Sequence, residues 1–228
     1  PSQKLGLFTG WPGIACAAVR AGRVLGEEGL LEAAGALMSR LWRAIPATHE
    51  TDVTAGTAGA ILGVAEMGAD AGPGALQLAI TVAGGLLERA VYDGDACSWR
   101  TINARSEYNL TGPSHGAAGI GLGLVELWAL TGDGRYREAG RRAFAYEDYW
   151  YDARAAGWPD LRGVRTGRGR PRRMLPFANF WCHGAAGIAL SRLRAFELLR
   201  EPRYLLVARR GVDAVRPWLT RMDDDGAL

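Results

Sequence analysis

A Gly-x-x-Gly step recurs four times in this chain, as Gly10-Trp11-Pro12-Gly13, Gly56-Thr57-Ala58-Gly59, Gly116-Ala117-Ala118-Gly119 and Gly184-Ala185-Ala186-Gly187. Each copy leads into small and branched apolar residues at helical spacing, then a breaker, then a second periodic stretch. The first glycines stand at 10, 56, 116 and 184, intervals of 46, 60 and 68 residues, which a helix pair with connections of growing length accounts for. A helix pair that cannot bury its apolar face alone must stack on its neighbours. The pattern therefore predicts an all-α repeat fold, a solenoid or a closed α/α toroid, with about four helix pairs. Glycine suits the step because it admits positive φ and lets backbones approach closely where the chain turns into the inner helix.

Taken in order, residues 7–43 read as a helical hairpin, broken at Gly26-Glu27-Glu28-Gly29 and resuming over Leu30 to Trp42. The second copy predicts helices over Ala60 to Met67 and Ala75 to Val91, the third over Ile120 to Leu130 and Tyr136 to Trp150. The fourth opens at Cys182, with an outer helix over about Tyr204 to Leu219. Two intervals read as non-helical. One, Asp93 to Pro113, carries Trp99, Asn103 and Asn109; the other, Asp152 to Pro176, carries Trp158-Pro159-Asp160-Leu161 and the basic run Arg162, Arg165, Arg168, Arg170, Arg172 and Arg173. The whole, 1–228, reads as one partial domain, since it begins at Pro1 and enters its first turn within ten residues, as if cut from a longer polypeptide.

Composition narrows the class. With 48% hydrophobic and 22% charged residues and a net charge of +3, the chain is an ordinary globular one. Its basicity is concentrated in one stretch, which argues against a nucleic-acid partner. Three cysteines, Cys16, Cys97 and Cys182, make an odd count without a framework spacing, which fits a reducing cytoplasm rather than a disulfide-stapled secreted domain. No apolar run is long enough to predict a membrane span.

Aligning the four copies shows what varies. The residue before the first glycine is Thr9, Ala55, His115 or His183, and the one before that is Phe8, Thr54, Ser114 or Cys182. Equivalent repeat positions reach equivalent places, so in a closed ring His115 and Cys182-His183 are expected to converge on the central axis. Each has two readings on residue type alone. His115 is either a functional group or a helix-capping turn residue; Cys182 with His183 is either half of a zinc site or a small buried apolar group beside a turn histidine. Cys16 and Cys97 read as structural, His49 as a solvated loop residue near Asp52, and Tyr146, Tyr149, Trp150 and Tyr151 as packing on an outer helix or, less simply, a substrate groove. The arginine run is a solvated loop or a contact for an acidic segment.

Three of the motifs carry a family resemblance. Trp181-Cys182-His183-Gly184-x-x-Gly187-Ile188 resembles the first cysteine motif of the lanthionine synthetase C-like cyclases. Leu110-Thr111-Gly112-Pro113-Ser114-His115-Gly116-x-x-Gly119-Ile120 resembles their histidine motif, and Asp52-Val53-x-x-Gly56-x-x-Gly59 their aspartate motif. With Trp158-Pro159-Asp160-Leu161-Arg162 upstream, the chain is most similar to the cyclase half of bifunctional class II lanthipeptide synthetases, whose other half is a dehydratase. The resemblance implies a helical toroid around a central zinc ion, acting on a precursor peptide, leader plus core, already dehydrated at Ser and Thr. A peptide thiolate adds to the β-carbon of dehydroalanine or dehydrobutyrine, and the resulting enolate is protonated. Carried over, Cys182 is a zinc ligand, His115 the acid/base group and Asp52 a supporting or acid/base carboxylate. Asp52 equally suits an N-cap before the second turn. His183 is a weaker zinc-ligand candidate and otherwise holds the turn.

The chain departs from stand-alone relatives at Ala178, where they carry arginine, and at His183, where they carry tyrosine. The family's remaining zinc ligands come from a later Cys-His-Gly motif, and this chain stops at Asp223-Asp224-Asp225-Gly226-Ala227-Leu228, about where that motif would begin. Four pairs of the family's seven imply an exposed apolar edge. A dehydratase domain or a missing C-terminal segment is the implied protein partner. Two rivals remain: a non-catalytic toroid module that binds peptide or a partner domain, and a glycan-active toroid enzyme, which would need paired carboxylates facing the axis where only Asp52 presents itself.

Overall fold

A computed structural model describes residues 2–47, 50–101, 106–164, 175–177 and 179–224. His49, Asn103, the basic run from Arg165 to Arg173, and Ala178 lie outside the described residues. Eight α-helices among the described residues form four hairpins: α1 (Trp11–Leu25) with α2 (Glu28–Arg43), α3 (Thr57–Met67) with α4 (Ala75–Arg89), α5 (Ala117–Thr131) with α6 (Gly134–Trp150), and α7 (Ala185–Leu199) with α8 (Pro202–Asp224). Each odd-numbered helix packs on the next odd one and on its own hairpin partner, so α1, α3, α5 and α7 form an inner row and the even helices an outer one.

The two rows differ because their sequences do. In α3, Thr57 to Ile61, Gly63, Val64 and Met67 are all buried, as expected of a helix enclosed on most sides. In α2 the buried residues are Ala34, Gly35, Met38 and Leu41, a single stripe, with the charged face outward. Exposed apolar side chains stand on α8, at Leu206, Val212, Trp218 and Leu219, and on α1, at Ile14, Val24 and Leu25.

The recurring glycines answer mainly to space. Every inner helix starts directly after the first glycine of its step. Of those four residues only Gly184, at φ 116°, has positive φ; Gly10, Gly56 and Gly116 lie at −125°, −128° and −112°, open to any residue. Positive φ is thus the reason at one turn rather than at all four. The second glycines show the shared cause: a Cβ on Gly13, Gly59, Gly119 or Gly187 would strike the carbonyl oxygen of Leu7, Val53, Pro113 or Trp181, in each case the residue six positions earlier. The chain folds back on itself too tightly for any side chain there.

Main-chain hydrogen bonds then lace successive turns together. Leu7 N–H donates to the Val53 carbonyl at 3.0 Å, and Phe8 and Thr9 N–H to that of Thr54, both at 3.2 Å. Val53 and Thr54 donate to the Ser114 carbonyl at 3.2 and 3.3 Å, and Ser114 to that of Cys182 at 3.2 Å. Equivalent residues of four repeats therefore stand side by side at one end of the inner row.

Elsewhere the expected boundaries move. α4 stops at Arg89, and Val91–Asp93 (β1) pairs antiparallel with Ala96–Ser98 (β2). A hairpin thus occupies ground expected to be helix and then loop; Trp99 beyond it is buried and donates through Nε1 to the Leu86 carbonyl at 2.7 Å. In the later interval, buried Trp158 donates to the Glu147 carbonyl at 2.9 Å, and Thr111 Oγ1 donates to the Pro159 carbonyl at 3.1 Å, fixing this segment under the third turn. The aromatic group divides. Tyr146 donates to the Asn109 carbonyl and Trp150 is buried against Tyr108, whereas Tyr149 is exposed.

Candidate functional site

The laced turns bring Asp52, His115, Cys182 and His183 to the same end of the inner row, from three repeats. His115 Nδ1 lies 2.7 Å from Asp52 Oδ2, a contact between residues of adjacent turns. Asp52 is almost wholly buried, with a side-chain exposure of 3%, while His115 retains 34%. The other Asp52 oxygen, Oδ1, accepts the Ala55 N–H at 2.8 Å. Asp52 is therefore not the N-cap of α3, whose capping position is Gly56 and has no side-chain cap. It braces its own loop with one oxygen and the neighbouring turn's histidine with the other.

His115 is held from several sides. Its carbonyl accepts the Thr101 hydroxyl at 2.9 Å, and Ser114 Oγ lies 2.7 Å from Thr54 Oγ1. With Nδ1 engaged by a carboxylate, the Nδ1–H tautomer is favoured and Nε2 is left as the ring's free proton-accepting nitrogen. That is the geometry of a base oriented by an acid.

Cys182 is half-buried, and its Sγ lies 3.2 Å from His183 Nε2. His183 is buried. Burial, and after it the nearby charge of Arg162, push the His183 imidazole below its ordinary value; Asp160 opposes this, and His115 adds to the lowering. His183 is thus a neutral imidazole near pH 7. The Gly112 Cα at φ 91° abuts this turn so closely that a Cβ would come within 2.9 Å of the Cys182 carbonyl oxygen and the His183 Cα.

Two further groups stand next to the site. Asp160 and Arg162 form an ion pair at 2.6 Å beside the Cys182-His183 turn. Burial works to raise the Asp160 carboxyl, but hydrogen bonds from the Arg162 side chain and N–H outweigh it and hold the carboxyl below its usual range. Arg162, the first arginine of the basic run, is anchored by a partner two residues back. The second group, Glu147, sits on an outer helix outside every motif; no spacing could have revealed it. The two remaining thiols are buried. Burial pushes Cys16 up to about 11 and Cys97 up to about 12, and their Sγ atoms face the carbonyls of Gly63 and Ala139.

Zinc prefers thiolate and imidazole donors, and Cys182 with His183 fits that preference in kind. In number they fall short, since among the described residues no three His, Cys, Asp or Glu side chains come together as a metal site would need. Beside the site, the rings of Phe8 and Trp181 meet edge to face at 5.0 Å, joining the first and fourth turns. From Leu7 and Phe8 a concave cavity of about 870 Å³ runs down the inner row to Arg20, Glu66, Glu126 and Arg194. These four charges occupy the same register, ten positions after the first glycine of each repeat, and pair as Arg20–Glu66 at 2.6 Å and Arg194–Glu126 at 2.5 Å.

Paired helices in an inner and an outer row, with polar residues gathered where the inner helices begin, define an α/α-toroid type of protein. A model of the lanthionine synthetase C-like protein family matches residues 1–216, and the chain belongs to that family. Comparison with curated proteins finds no match. Among solved structures, a family 76 glycoside hydrolase from a bovine Bacteroides thetaiotaomicron strain superposes with a TM-score of 0.59 at 14% identity, over 93% of this chain and 50% of that one. That likeness speaks to the fold alone, and the chain spans about half the length of that structure. None of the described helices is long and apolar enough to cross a membrane.

Proposed function

We propose that this chain belongs to a class II lanthipeptide cyclase domain, closing thioether rings in a dehydrated precursor peptide in the bacterial cytoplasm, beside a dehydratase domain. The observation that carries the reading is the 2.7 Å contact between Asp52 and His115, set beside the Cys182 turn. It joins two family motifs far apart in sequence into one proton-transferring pair.

In this reading Cys182 would hold the zinc ion, with His183, whose Nε2 lies 3.2 Å from the Cys182 Sγ, as the second candidate donor. When bound, zinc favours the thiolate form of the peptide's cysteine. His115 Nε2 accepts the proton that the thiol releases, and Asp52 stabilises the imidazolium. The thiolate sulfur forms a bond to the β-carbon, the C=C electrons move to the α-carbon and its carbonyl, and the proton returns from His115 to the α-carbon. Bond making and proton count balance without an oxidant or a further reactant. The exposed faces of Phe8, Phe180 and Trp181 offer the peptide an apolar rim.

The test uses purified chain, dehydrated precursor peptide and N-ethylmaleimide, which labels only unreacted thiols. Ring closure leaves the peptide's mass unchanged and removes labelling; His115→Asn slows this by about 10²-fold or more. Zinc stoichiometry accompanies it, with one ion per chain expected in the native protein and none in Cys182→Ala. A folded protein that neither binds zinc nor consumes thiol sinks the catalytic reading. It would leave the second one, a toroid module that binds peptide without chemistry, which the two-donor set among the described residues favours.

A further inference from the structure

Glu147 lies on α6, yet its carboxyl is the support of the His115 turn. The residue is fully buried, and Oε1 accepts the N–H groups of both Gly112 and Ala118 at 2.9 Å. Those two groups bracket His115, one on the approach to the turn and one in the first turn of α5. In the second repeat the corresponding Ala58 N–H donates to the Thr51 carbonyl, and Gly59 N–H to that of Asp52. In the third repeat Gly112 stands where Asp52 does, counted from the first glycine, and Ala118 N–H turns to Glu147 instead. A side chain from the outer row has replaced a local carbonyl.

The replacement is costly. A buried carboxyl loses hydration, and Oε2 has no hydrogen-bond partner among the described residues. Packing alone would be better served by an apolar residue. What the carboxyl adds is one fixed acceptor shared by two strands of backbone.

We propose that Glu147 is the positioning residue of His115: its Oε1 clamps the backbone on both sides of the histidine and so sets the imidazole against Asp52. The inference rests on the reading of His115 as the proton-transfer group. The charged groups facing Glu147 are Arg192 of α7, whose Nη2 bonds the Phe144 carbonyl at 3.0 Å and Asp148 at 3.2 Å, and Asp148 itself. Burial outweighs Arg192 and the two N–H bonds and pushes the Glu147 carboxyl up to about 7. The clamp therefore exchanges between acid and carboxylate near neutrality, and Oε1 remains an acceptor in both.

The experiment follows the amide resonances of Gly112 and Ala118 and the ring resonances of His115 by NMR across about pH 6–8, in native protein, Glu147→Gln, Glu147→Ala and His115→Asn. Both amides are expected to move together with one midpoint in native protein and in His115→Asn. In Glu147→Gln that step disappears, because the amide oxygen still accepts but does not titrate. In Glu147→Ala both resonances shift upfield and the His115 ring signals approach those of Asp52→Asn. Cyclisation by Glu147→Ala falls about tenfold or more, and by Glu147→Gln stays within about threefold of native. A titration step that survives in Glu147→Gln combined with His115→Asn overturns the clamp, and decides the matter even where Glu147→Ala does not fold. Intact amide behaviour without cyclisation removes only the cyclase reading; native-rate cyclisation by Glu147→Ala removes only the clamp.

Discussion

His115 owes its chemistry to a residue on the neighbouring repeat. An isolated imidazole on a turn exchanges between two tautomers; the Asp52 carboxylate at 2.7 Å favours Nδ1–H and leaves Nε2 as the base. Asp52→Asn keeps the shape but can present its NH₂ to Nδ1 and so favour the wrong tautomer. Its cyclisation rate is expected to drop by about 10²-fold or more with little change in stability, read from thiol labelling beside a urea melt. His183 stands in the same place in the fourth turn but meets a thiol rather than a carboxylate. Two histidines at one repeat position therefore differ in chemistry because their neighbours differ. Nothing in the spacing of the motifs could distinguish them.

At the scale of the element, the step into each inner helix is a steric device. A Cβ on Gly187 would overlap the Trp181 carbonyl and the Pro113 ring, so Gly187→Ala is expected to lose about 1–3 kcal/mol or fail to fold. Gly29, on the first turn of α2, has nothing within 4 Å of a built Cβ, and Gly29→Ala should gain about 0.5–1 kcal/mol in the same denaturation assay. The charges ten positions into each inner helix form a second repeated device. Arg194 and Glu126 lie within 2.5 Å across α7 and α5. Arg194 also pairs with Glu197 at 2.9 Å, so the Glu126 contact is isolated by neutralising either partner to glutamine, which should cost about 0.2–1 kcal/mol, with the coupling read from a double-mutant cycle. Glycine recurrence was legible as pattern, but its cause was only partly so: three of four first glycines have negative φ, and close approach does the rest.

For the whole molecule, stability should depend on pH through Glu147. Its folded value, about 7, lies above the ordinary 4.5, so the native state holds its proton more tightly than the unfolded chain does. The stabilisation this gives is complete below about pH 4.5 and is lost as pH rises through 7. Urea midpoints at pH 5.5 and 8 should differ more in native protein than in Glu147→Gln, where the titrating group is gone. An equal difference in both proteins would assign the dependence to other groups.

Sequence alone determined the repeat, the order of helices and the identity of the motif residues, because these depend on local periodicity and on which residue types can do proton and metal chemistry. The repeat register grouped His115 with Cys182-His183, and family resemblance alone added Asp52 to them. Tertiary structure decided the pairing of Asp52 with His115, the anchoring of Arg162 by Asp160, the β-hairpin in the second connection, and the support of the His115 turn by Glu147. Each of these is a contact between segments that sequence distance keeps apart or that local pattern leaves ambiguous. A helix periodicity reports which face is buried, but not which buried acid will meet an unpaired N–H from another repeat. That is settled only when the rows pack and every main-chain donor must find an acceptor.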